Sequence, residues 1–341
     1  MSRHEHETEQ SERCQEPGHV HGEGDGAGRE GPGGIRGAGH EGHARGAGHA
    51  HGAGHGHHHD SAHMPWAEMA THLERQAEIQ SPVYTAATAW LGELVPVAGV
   101  RRILDIGSGP GVLTVLLAEA FPAAEVVAVD GTPELLERAR ARAEANGLGD
   151  RVSTLHAELP DAIGELGEAD LIWAGNSLHH IGDQSAALAA FAGLLRPGGL
   201  MVLVEGGLPA RHLPWNIGMG RPGLEARMDA VIADSFGDMR ASLRDSKDEV
   251  DDWRGLLAGA GLTPSGTRSF LVDAPAPVAP VVRDLIVGTF ARLREGQAER
   301  LAEDDVKVLD RLLDPADPES LYRRADLFHL AARTIHTAVK G

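Results

Sequence analysis

Cysteine is almost absent from this sequence of 341 residues, and Cys14 is the only one. A single cysteine cannot close an intramolecular disulfide, and it cannot supply the thiolates of a cysteine-based zinc site. Chemistry that depends on several thiolates is therefore excluded.

Long apolar runs and an excess of positive charge are also missing. No stretch reaches the ~18 apolar residues that a transmembrane helix requires, and the opening residues, MSRHEHETEQSER, lack the apolar segment of a secretory signal. We therefore expect a cytoplasmic protein without a membrane partner. The formal net charge is −19. This charge argues against a nucleic-acid partner, because binding to phosphates depends on clustered Lys and Arg.

Residues 1–63 are rich in glycine and histidine and contain few large aliphatic side chains. The element GAGH occurs three times, at 37–40, 46–49 and 52–55. Such a segment buries too little apolar surface to offset the entropy that it would lose on ordering. We predict that it is a disordered tail.

Histidine is concentrated in this tail, which holds 13 of the chain's 20 histidines. The run HGHHHDSAH contains His55, His57, His58 and His59, and imidazole is a good ligand for zinc, nickel and copper. A fixed zinc site needs about four ligands held in place, and this composition offers no framework for them. Two interpretations stay open: loose metal binding by a solvated tail, and a selected metal function.

The composition changes at residue 64, and 64–341 has the pattern of a folded α/β domain. Helical spacing over 65–95, broken at Pro82, precedes an alternation of strands and helices. Strands are predicted at 101–106, 125–130, 152–155, 170–175 and 200–205, and helices near 111–120, 133–146 and 184–195. Short strands rich in Val, Ile and Leu are typical of a parallel sheet covered on both faces. The pattern predicts a doubly wound α/β fold.

The segment ILDIGSGPGVLTVL, residues 103–116, lies at the first turn from strand to helix. Gly107, Gly109 and Gly111 permit a tight turn and a close approach of the backbone to a ligand, with amide groups at a helix N-terminus. In doubly wound folds, ligands bind outside the carboxyl ends of the strands. Asp130 ends the second predicted strand, where a carboxylate can accept hydrogen bonds from both hydroxyls of a ribose.

The glycine loop differs from that of a nicotinamide-dinucleotide site, which reads G-x-G-x-x-G. Val112 stands where the last glycine would be, and Asp105 precedes the glycines. A carboxylate would repel a pyrophosphate, but it suits a ligand with an ammonium group. S-adenosylmethionine carries an ammonium and a sulfonium and has no phosphate. An NAD-dependent oxidoreductase remains the alternative at the level of the cofactor.

Five segments together resemble the class I S-adenosylmethionine-dependent methyltransferases. They follow the family's order across residues 100–205: ILDIGSGPG, VVAVDGTPELLERARARA, VSTLHAELPD, ADLIWAGNSLHHIGD and LLRPGGLMVLVE. The resemblance implies a Rossmann-like fold with a seven-stranded, mostly parallel sheet, and it implies S-adenosyl-L-methionine as the cofactor.

The resemblance also implies which residues would contact the methionine part of the cofactor. Asp105 and the backbone at Gly107 and Gly109 would surround it, and Ser108 and Gly111 belong to the same loop. Their alternative role is that of ordinary turn residues.

Two further segments are implied to hold the adenosine. Asp130 would bind the ribose, with Gly131 and Thr132 beside it. Ala157 and Glu158 stand where the family often has a Gly-Asp pair, whose acid accepts from the adenine amino group. Glutamate is one methylene longer than aspartate, so the alternative for Glu158 is a surface carboxylate.

The residues after the fourth predicted strand are candidates for positioning and proton transfer. Asn176 lies where the family's backbone approaches the methionine part, or it is a turn residue. SLHHI supplies His179 and His180, and histidine titrates near neutral pH. Either can serve as a general base where the nucleophile must lose a proton. The alternative is a structural or lining role.

The rest of the chain departs from the minimal fold of the family. We divide the domain into N-terminal helices at 64–98, a cofactor-binding core at 99–205, and a substrate region at 206–341. The predicted elements of that last region are an irregular, then helical insertion at 211–243, a helix and strand within 250–273, helical stretches at 279–298 and 302–313, and a final strand at 332–340. We expect the insertions to cap an enclosed pocket. The alternative is that they pad the sheet or pair subunits.

Four side chains of this region are candidates for lining the pocket: Trp215, Met219, Arg221 and Trp253. An enclosed pocket favours methyl transfer to O, N or C of a small-molecule metabolite, which is the leading hypothesis. An open cleft would favour a protein methyltransferase. A metal-binding or metal-responsive protein acting through the tail is the alternative from another class. Monomer and homodimer both stay open.

Overall fold

The computed structural model describes residues 66–341, with side chains from Met69 onward. The predicted disordered tail, residues 1–63, lies outside the described residues. The metal candidates His55, His57, His58 and His59 lie outside them as well.

Seven strands form a single sheet. They are β1 Arg102–Ile106, β2 Glu125–Asp130, β3 Val152–His156, β4 Ala169–Gly175, β5 Leu195–Arg211, β6 Leu262–Ala274 and β7 His329–Lys340. Their spatial order is β3-β2-β1-β4-β5-β7-β6. Strands β1 to β5 are parallel, and β7 is antiparallel to both β5 and β6. The prediction of a doubly wound, seven-stranded, mostly parallel sheet is confirmed.

The strand order reverses between β1 and β4. The chain places β2 and β3 on one side of β1 and then places β4 and β5 on the other. At such a switch point the loops that follow neighbouring strands diverge and leave a crevice. The ends of β1, β2 and β4 therefore meet at the position where a ligand is expected.

Nine helices are described in residues 66–341. They are α1 Trp66–Ile79, α2 Ser81–Leu94, α3 Val112–Ala120, α4 Pro133–Ala145, α5 Gln184–Leu194, α6 Leu224–Ser242, α7 Trp253–Gly259, α8 Pro280–Gly296 and α9 Glu303–Leu313. Pro82 lies in the first turn of α2, where a missing N–H removes no helical hydrogen bond. The predicted break in the helical pattern therefore separates α1 from α2. None of these helices is long and apolar enough to cross a membrane.

The centre of the sheet is buried on both faces. Ile103 and Leu104 of β1 point to opposite faces, and both are fully buried. Ile103 packs in a cluster with Leu91 of α2 and Leu117 of α3, whereas Leu104 packs in a cluster with Phe191 of α5. Burial of each such side chain contributes ~1.5–3 kcal/mol. The two layers of helices thereby hold the ends of the central strands in place.

Strand β5 is longer than predicted. It was expected to end at 205, but it continues to Arg211 with register shifts between Val204 and Gly207 and between Leu208 and Arg211. The reason is that β7 offers backbone partners beyond the point where the apolar sequence of β5 stops. The extension carries the chain beyond the carboxyl end of β4 before the first insertion begins.

The predicted helical insertions are present, and they have a hydrophobic core of their own. We call this group the insertion cluster. Its members include Leu213, Met228, Phe290, Leu309 and Leu327, all buried. Helices α6, α8 and α9 therefore pack on one another.

Candidate active site

The glycine loop joins β1 to α3 in the crevice. The backbone N–H groups of Gly107 and Ser108 both donate to the carbonyl of Val129 in β2, at 2.9 and 3.0 Å. A Cβ atom on Gly107 would lie 2.8 Å from Cβ of Ser177, in the loop after β4. The loop is thereby fixed against the ends of the strands on either side of β1.

Gly109 and Gly111 both have positive φ angles, of 54° and 76°, but their surroundings differ. A Cβ atom on Gly111 would lie 2.6 Å from Cα of Ala139, so this glycine lets α3 and α4 approach closely. A Cβ atom on Gly109 would meet nothing within 4 Å. The backbone at Gly109 therefore faces open space.

Asp105 lies beneath the glycine loop and is almost completely buried, at 1% exposure. Its Oδ2 accepts a hydrogen bond of 2.6 Å from the hydroxyl of Thr114. Burial raises the pKa of Asp105 to about 7, although the bond from Thr114 opposes the shift, and the charge of Asp130 adds to it. Near neutral pH this buried carboxylate is thus poised between its two protonation states.

Asp130 ends β2 and binds the backbone on both sides of the crevice. Its Oδ2 accepts from the N–H of Gly109, and its Oδ1 accepts from the N–H of Thr132, each at 2.9 Å. Burial raises the pKa of Asp130, these N–H groups lower it, and the charge of Glu158 raises it. Each carboxylate oxygen has two lone pairs, so Asp130 keeps the capacity to accept from a ligand.

The segment after β3 comes beside Gly131. Ala157 is buried, and its N–H donates to the carbonyl of Asp130 at 3.1 Å. Glu158 is exposed, and its Oε1 is 3.8 Å from Nε2 of His156. The carboxylate of Glu158 lies next to Gly131, since a Cβ atom there would be 3.2 Å from Oε2. The predicted adenosine residues are therefore neighbours.

The loop after β4 brings further predicted residues to the crevice. Asn176 is exposed, has a φ angle of 50°, and donates its N–H to the carbonyl of Val204 at 3.0 Å. Within the described part of the chain, the hydroxyls of Ser108 and Ser177 are buried without a hydrogen-bond partner. The two hydroxyls lie on the loops that follow β1 and β4, respectively.

His179 and His180 follow in a one-turn 3₁₀ helix, and their rings are 4.1 Å apart. Nδ1 of His179 lies 3.0 Å from Oε2 of Glu205, which is 5% exposed, and Oε1 of Glu205 accepts from the N–H of Leu178. His180 is exposed. The structure thus gives His179 a buried carboxylate partner that sequence reasoning missed. The sequence signal for this partner is the position of Glu205 at the end of the apolar run LMVLVE.

A second polar group missed from the sequence lies near Asp105. The hydroxyl of Tyr84 donates to Oε1 of Gln80 at 3.0 Å, and Nε of Arg333 donates to the same oxygen at 3.3 Å. Tyr84 also packs edge-on against Trp173, the β4 partner of Asp105 in the sheet register. The pKa of Tyr84 is raised by burial, lowered by the charge of Arg333 and raised by that of Asp105. We call these three residues, Gln80, Tyr84 and Arg333, the polar group on α2 and β7.

The four side chains predicted to line a pocket are dispersed. Trp215 is 74% exposed, whereas Met219 is buried in the insertion cluster. Arg221 pairs with Asp305, at 3.3 Å. Trp253 packs with side chains of the sheet core. Of these, only Met219 belongs to the packed interior of the insertion, whereas Arg221 is exposed. Trp253 packs in the core because α7 covers the sheet.

This fold and site define an α/β protein whose switch-point crevice suits a cationic ligand that carries a ribose. A sequence model described as a methyltransferase domain matches residues 103–199. The trans-aconitate 2-methyltransferase of Methylobacterium nodulans is 30% identical over 250 residues, which are 70% of this chain and 90% of that protein. The chain belongs to the class I S-adenosylmethionine-dependent methyltransferases, and its cofactor is S-adenosylmethionine.

Two more proteins show how far the similarity extends. The trans-aconitate 2-methyltransferase of Methylobacterium radiotolerans is 33% identical over 187 residues, covering 50% of this chain and 66% of that protein. The chain spans 36% and 66% of the first two curated relatives that it matches. A solved O-methyltransferase family protein from Burkholderia thailandensis is 21% identical with a TM-score of 0.40, covering 57% of this chain and 55% of that chain.

The residues of the crevice fit this cofactor. The open space at Gly109 lets a ligand approach the backbone. The buried hydroxyls of Ser108 and Ser177 have hydrogen-bonding capacity to offer. The carboxylates of Asp105 and Asp130 suit a ligand that carries positive charge and no phosphate.

Proposed function

We propose that this protein transfers the methyl group of S-adenosylmethionine to an O, N or C atom of a small molecule. The acceptor would bind at the carboxyl ends of β4 and β5 and the amino end of β7, beneath the helical insertions. The main support for this proposal is that α6 is bound to the residues that follow β5 and to those that follow β4.

Helix α6 is attached at both of its ends. Near its start, Glu225 accepts from the N–H groups of His212 and Leu213, which follow β5. Near its other end, Nη1 of Arg240 donates to the carbonyls of His179 and Ile181, at 2.8 and 2.7 Å. A helix held at the ends of β4 and β5 covers the space between them, and a covered space suits a small acceptor better than a protein surface.

Helix α1 is bound to α4 and to α8. Glu74 binds Arg138 of α4 at 2.6 Å, and Glu78 binds Arg142 at 2.9 Å. On the opposite side of α1, His72 contacts Arg292 of α8. Helix α1 thereby connects the cofactor-binding side of the domain to the insertions.

The names of the relatives support a small acceptor. Two of them are trans-aconitate 2-methyltransferases, and their names denote a small tricarboxylate as the substrate. A polycarboxylate is therefore the first acceptor to test.

We propose the following cofactor contacts on the positions described above. Asp105, Gly107 and Gly109, with Ser108 and Gly111 in the same loop, surround the methionine part, and Asn176 approaches it from the loop after β4. The adenosine is held by Asp130, Gly131, Thr132, Ala157 and Glu158. The fit of the crevice supports these roles.

Replacement of Asp130 by alanine is expected to weaken binding of S-adenosylhomocysteine by ~1–3 kcal/mol, the scale of lost charge-assisted hydrogen bonds. Part of this loss comes from the N–H groups of Gly109 and Thr132, which lose their acceptor. Calorimetric titration measures the effect. The control is Asp150→Ala, on an exposed turn, which should bind as tightly as the unaltered chain. Unchanged affinity in Asp130→Ala would refute the ribose role.

The cofactor supplies a methyl group on a sulfonium, which is already activated for displacement. The tasks left to the chain are to position the acceptor and to exclude water. An acceptor that loses a proton also needs a base, and His179 is placed for this role. Its Nδ1 faces Glu205, which would fix the ring and stabilise its protonated form once the proton has been taken.

If His179 is the base, His179→Gln is expected to lower kcat about 100-fold, within the usual range for loss of a general base. Glu205→Gln should lower kcat less, because the ring keeps a hydrogen-bonding partner and loses only the charge of that partner. His180→Gln distinguishes the two neighbouring imidazoles, since only the base gives the larger loss. A larger loss in His180→Gln would move the role to that residue.

A transfer assay with radiolabelled S-adenosylmethionine tests the proposed function. The acceptors are trans-aconitate, citrate, a panel of phenols and amines, and a protein extract in a separate reaction. Label in a small-molecule fraction supports the proposal. Label confined to protein would overturn it in favour of a protein methyltransferase.

A further inference from the structure

The guanidinium of Arg333 lies beside Gln80 and has no acidic partner among the described residues. In the chain from Met69 onward, its one side-chain hydrogen bond is the 3.3 Å bond from Nε to Gln80, and no carboxylate lies within ion-pair distance. Arg333 is half-buried. A partly buried charge without a counter-charge is costly, so the position is suited to a ligand that brings a negative charge.

A second unsatisfied group lies on the same strand. His329 is 5% exposed, and both of its ring nitrogens are buried without a hydrogen-bond partner among the described residues. Its neighbour His212 differs, because Nδ1 of His212 lies 2.9 Å from Glu225. That carboxylate also accepts backbone N–H groups, so it has little capacity left for His329.

Arg333 and His329 face the same side of the sheet. They are four residues apart on β7, so the alternation of a strand directs both side chains to one face. Ala331 lies between them on that face. It is buried and packs with Val83 of α2.

The charge of Arg333 affects the pKa of His329 and also that of Tyr84. Burial lowers the pKa of His329 to about 4; the charges of His212 and Arg333 act in the same direction, and that of Glu225 opposes the shift. At neutral pH the imidazole is therefore uncharged and offers one N–H donor. The charges of Arg333 and of Asp105 both act on the pKa of Tyr84, and the methionine part is proposed to bind at Asp105.

We propose that Arg333 and His329 form a subsite for a carboxylate of the acceptor. Arg333 supplies the charge and the four N–H groups of its two terminal nitrogens, and His329 supplies a neutral donor elsewhere on the same strand. Because Arg333 and His329 are separate donors on one face of β7, each can bind a different carboxylate, so we infer an acceptor with more than one carboxylate. This inference rests on the proposed small-molecule function and adds the class of substrate to it.

The cofactor's own methionine carboxylate is the other source of the same chemistry. Two titrations separate the sources: S-adenosylhomocysteine into the full-length chain, and then tricarballylate, an unreactive tricarboxylate, into that complex. In Arg333→Met, we expect tricarballylate to bind about tenfold to a hundredfold more weakly, the range for a lost charge-assisted bond. The affinity for S-adenosylhomocysteine should stay within about twofold, well below the effect of one such bond. Arg333→Lys should restore part of the loss.

The matched control is Arg268→Met, on an exposed position of β6 that pairs with β7. It should bind tricarballylate as the unaltered chain does. His329→Phe keeps an aromatic ring but removes both unsatisfied nitrogens, so it should raise the melting temperature of the free protein and still weaken tricarballylate binding. A structural role for His329 predicts the opposite change in stability.

Two results would overturn the proposal. Tricarballylate binding that is unchanged in Arg333→Met means that there is no such subsite. A matching loss of affinity for S-adenosylhomocysteine assigns Arg333 to the cofactor instead. Failure of the proposed function would give a different result from failure of the subsite. The transfer assay would then yield no labelled small-molecule product, whereas the binding titrations would still report on Arg333.

Discussion

Replacing Asp105 by asparagine is expected to weaken binding of S-adenosylhomocysteine about tenfold to a hundredfold at about pH 8, and at the same pH to make the free protein more stable. The two effects have opposite signs because one buried charge causes both. Burial of Asp105, which is 1% exposed, destabilises its ionised carboxylate in the free protein. A bound ligand with an ammonium group stabilises the same ionised form. Asparagine keeps an oxygen that can accept from Thr114, so the local hydrogen bond survives.

The dependence on pH follows from the direction of the shift. The pKa of Asp105 is about 7 in the folded chain and about 4 in an unfolded one. The folded state therefore binds the extra proton, and the stability of the free protein should fall as pH rises between those two values. Affinity for the cationic ligand should rise over the same range, by up to tenfold per pH unit below 7.

Calorimetry and thermal unfolding across this pH range provide the measurements. In Asp105→Asn the pH dependence of affinity should become nearly flat, and the melting temperature above neutral pH should exceed that of the unaltered chain. Asp150→Asn, on an exposed turn, should change neither quantity. A pH-dependent affinity that persists in Asp105→Asn would assign the titrating group to another residue.

Alanine at Gly111 is expected to destabilise the fold by ~2–5 kcal/mol. The left-handed backbone at this position costs a non-glycine residue roughly 1–2 kcal/mol, and overpacking adds ~1–3 kcal/mol. The added Cβ would lie 2.6 Å from both Cα and Cβ of Ala139, and backbone cannot give way as a flexible side chain can. The helices α3 and α4 would have to separate.

Two other glycines separate the loss of stability caused by a crowded Cβ atom from the loss of cofactor binding. Gly109 and Gly147 also have positive φ angles, and an added Cβ at either would meet nothing within 4 Å. Alanine at each should therefore cost only roughly 1–2 kcal/mol of stability. Gly109→Ala should lose S-adenosylhomocysteine binding, because the new methyl group enters the crevice, while Gly147→Ala, at the end of α4, should bind normally. Equal binding by these two variants would contradict the proposed position of the cofactor.

The parts of the fold that local sequence encodes were predictable. Apolar strands that alternate with helices define the sheet, and the glycines of residues 107–111 lie at its switch point as expected. The helical insertions were also predicted, since their periodicity is a local property. The length of β5 was not, because its last residues are stabilised by pairing with β7, which lies more than a hundred residues later in the chain.

The partners within the site could not be read from spacing. His179 and Glu205 meet because β4 and β5 are neighbours in the sheet, and Gln80 meets Arg333 across 253 positions of sequence. Such pairs depend on tertiary packing, and a single sequence carries no signal for them beyond an acid or a base at the end of an apolar run. Trp253 shows the same limit, since an aromatic side chain expected to line a pocket packs in the core of the sheet.

The separate hydrophobic core of the insertions has an evolutionary consequence. Met228, Phe290 and Leu309 pack with one another, while Ile103 and Leu104 of the sheet pack in other clusters. Mutations that reshape the insertions can therefore accumulate without loosening the strands that present the glycine loop. A lineage with this architecture can change what it methylates while it inherits its methyl donor unaltered.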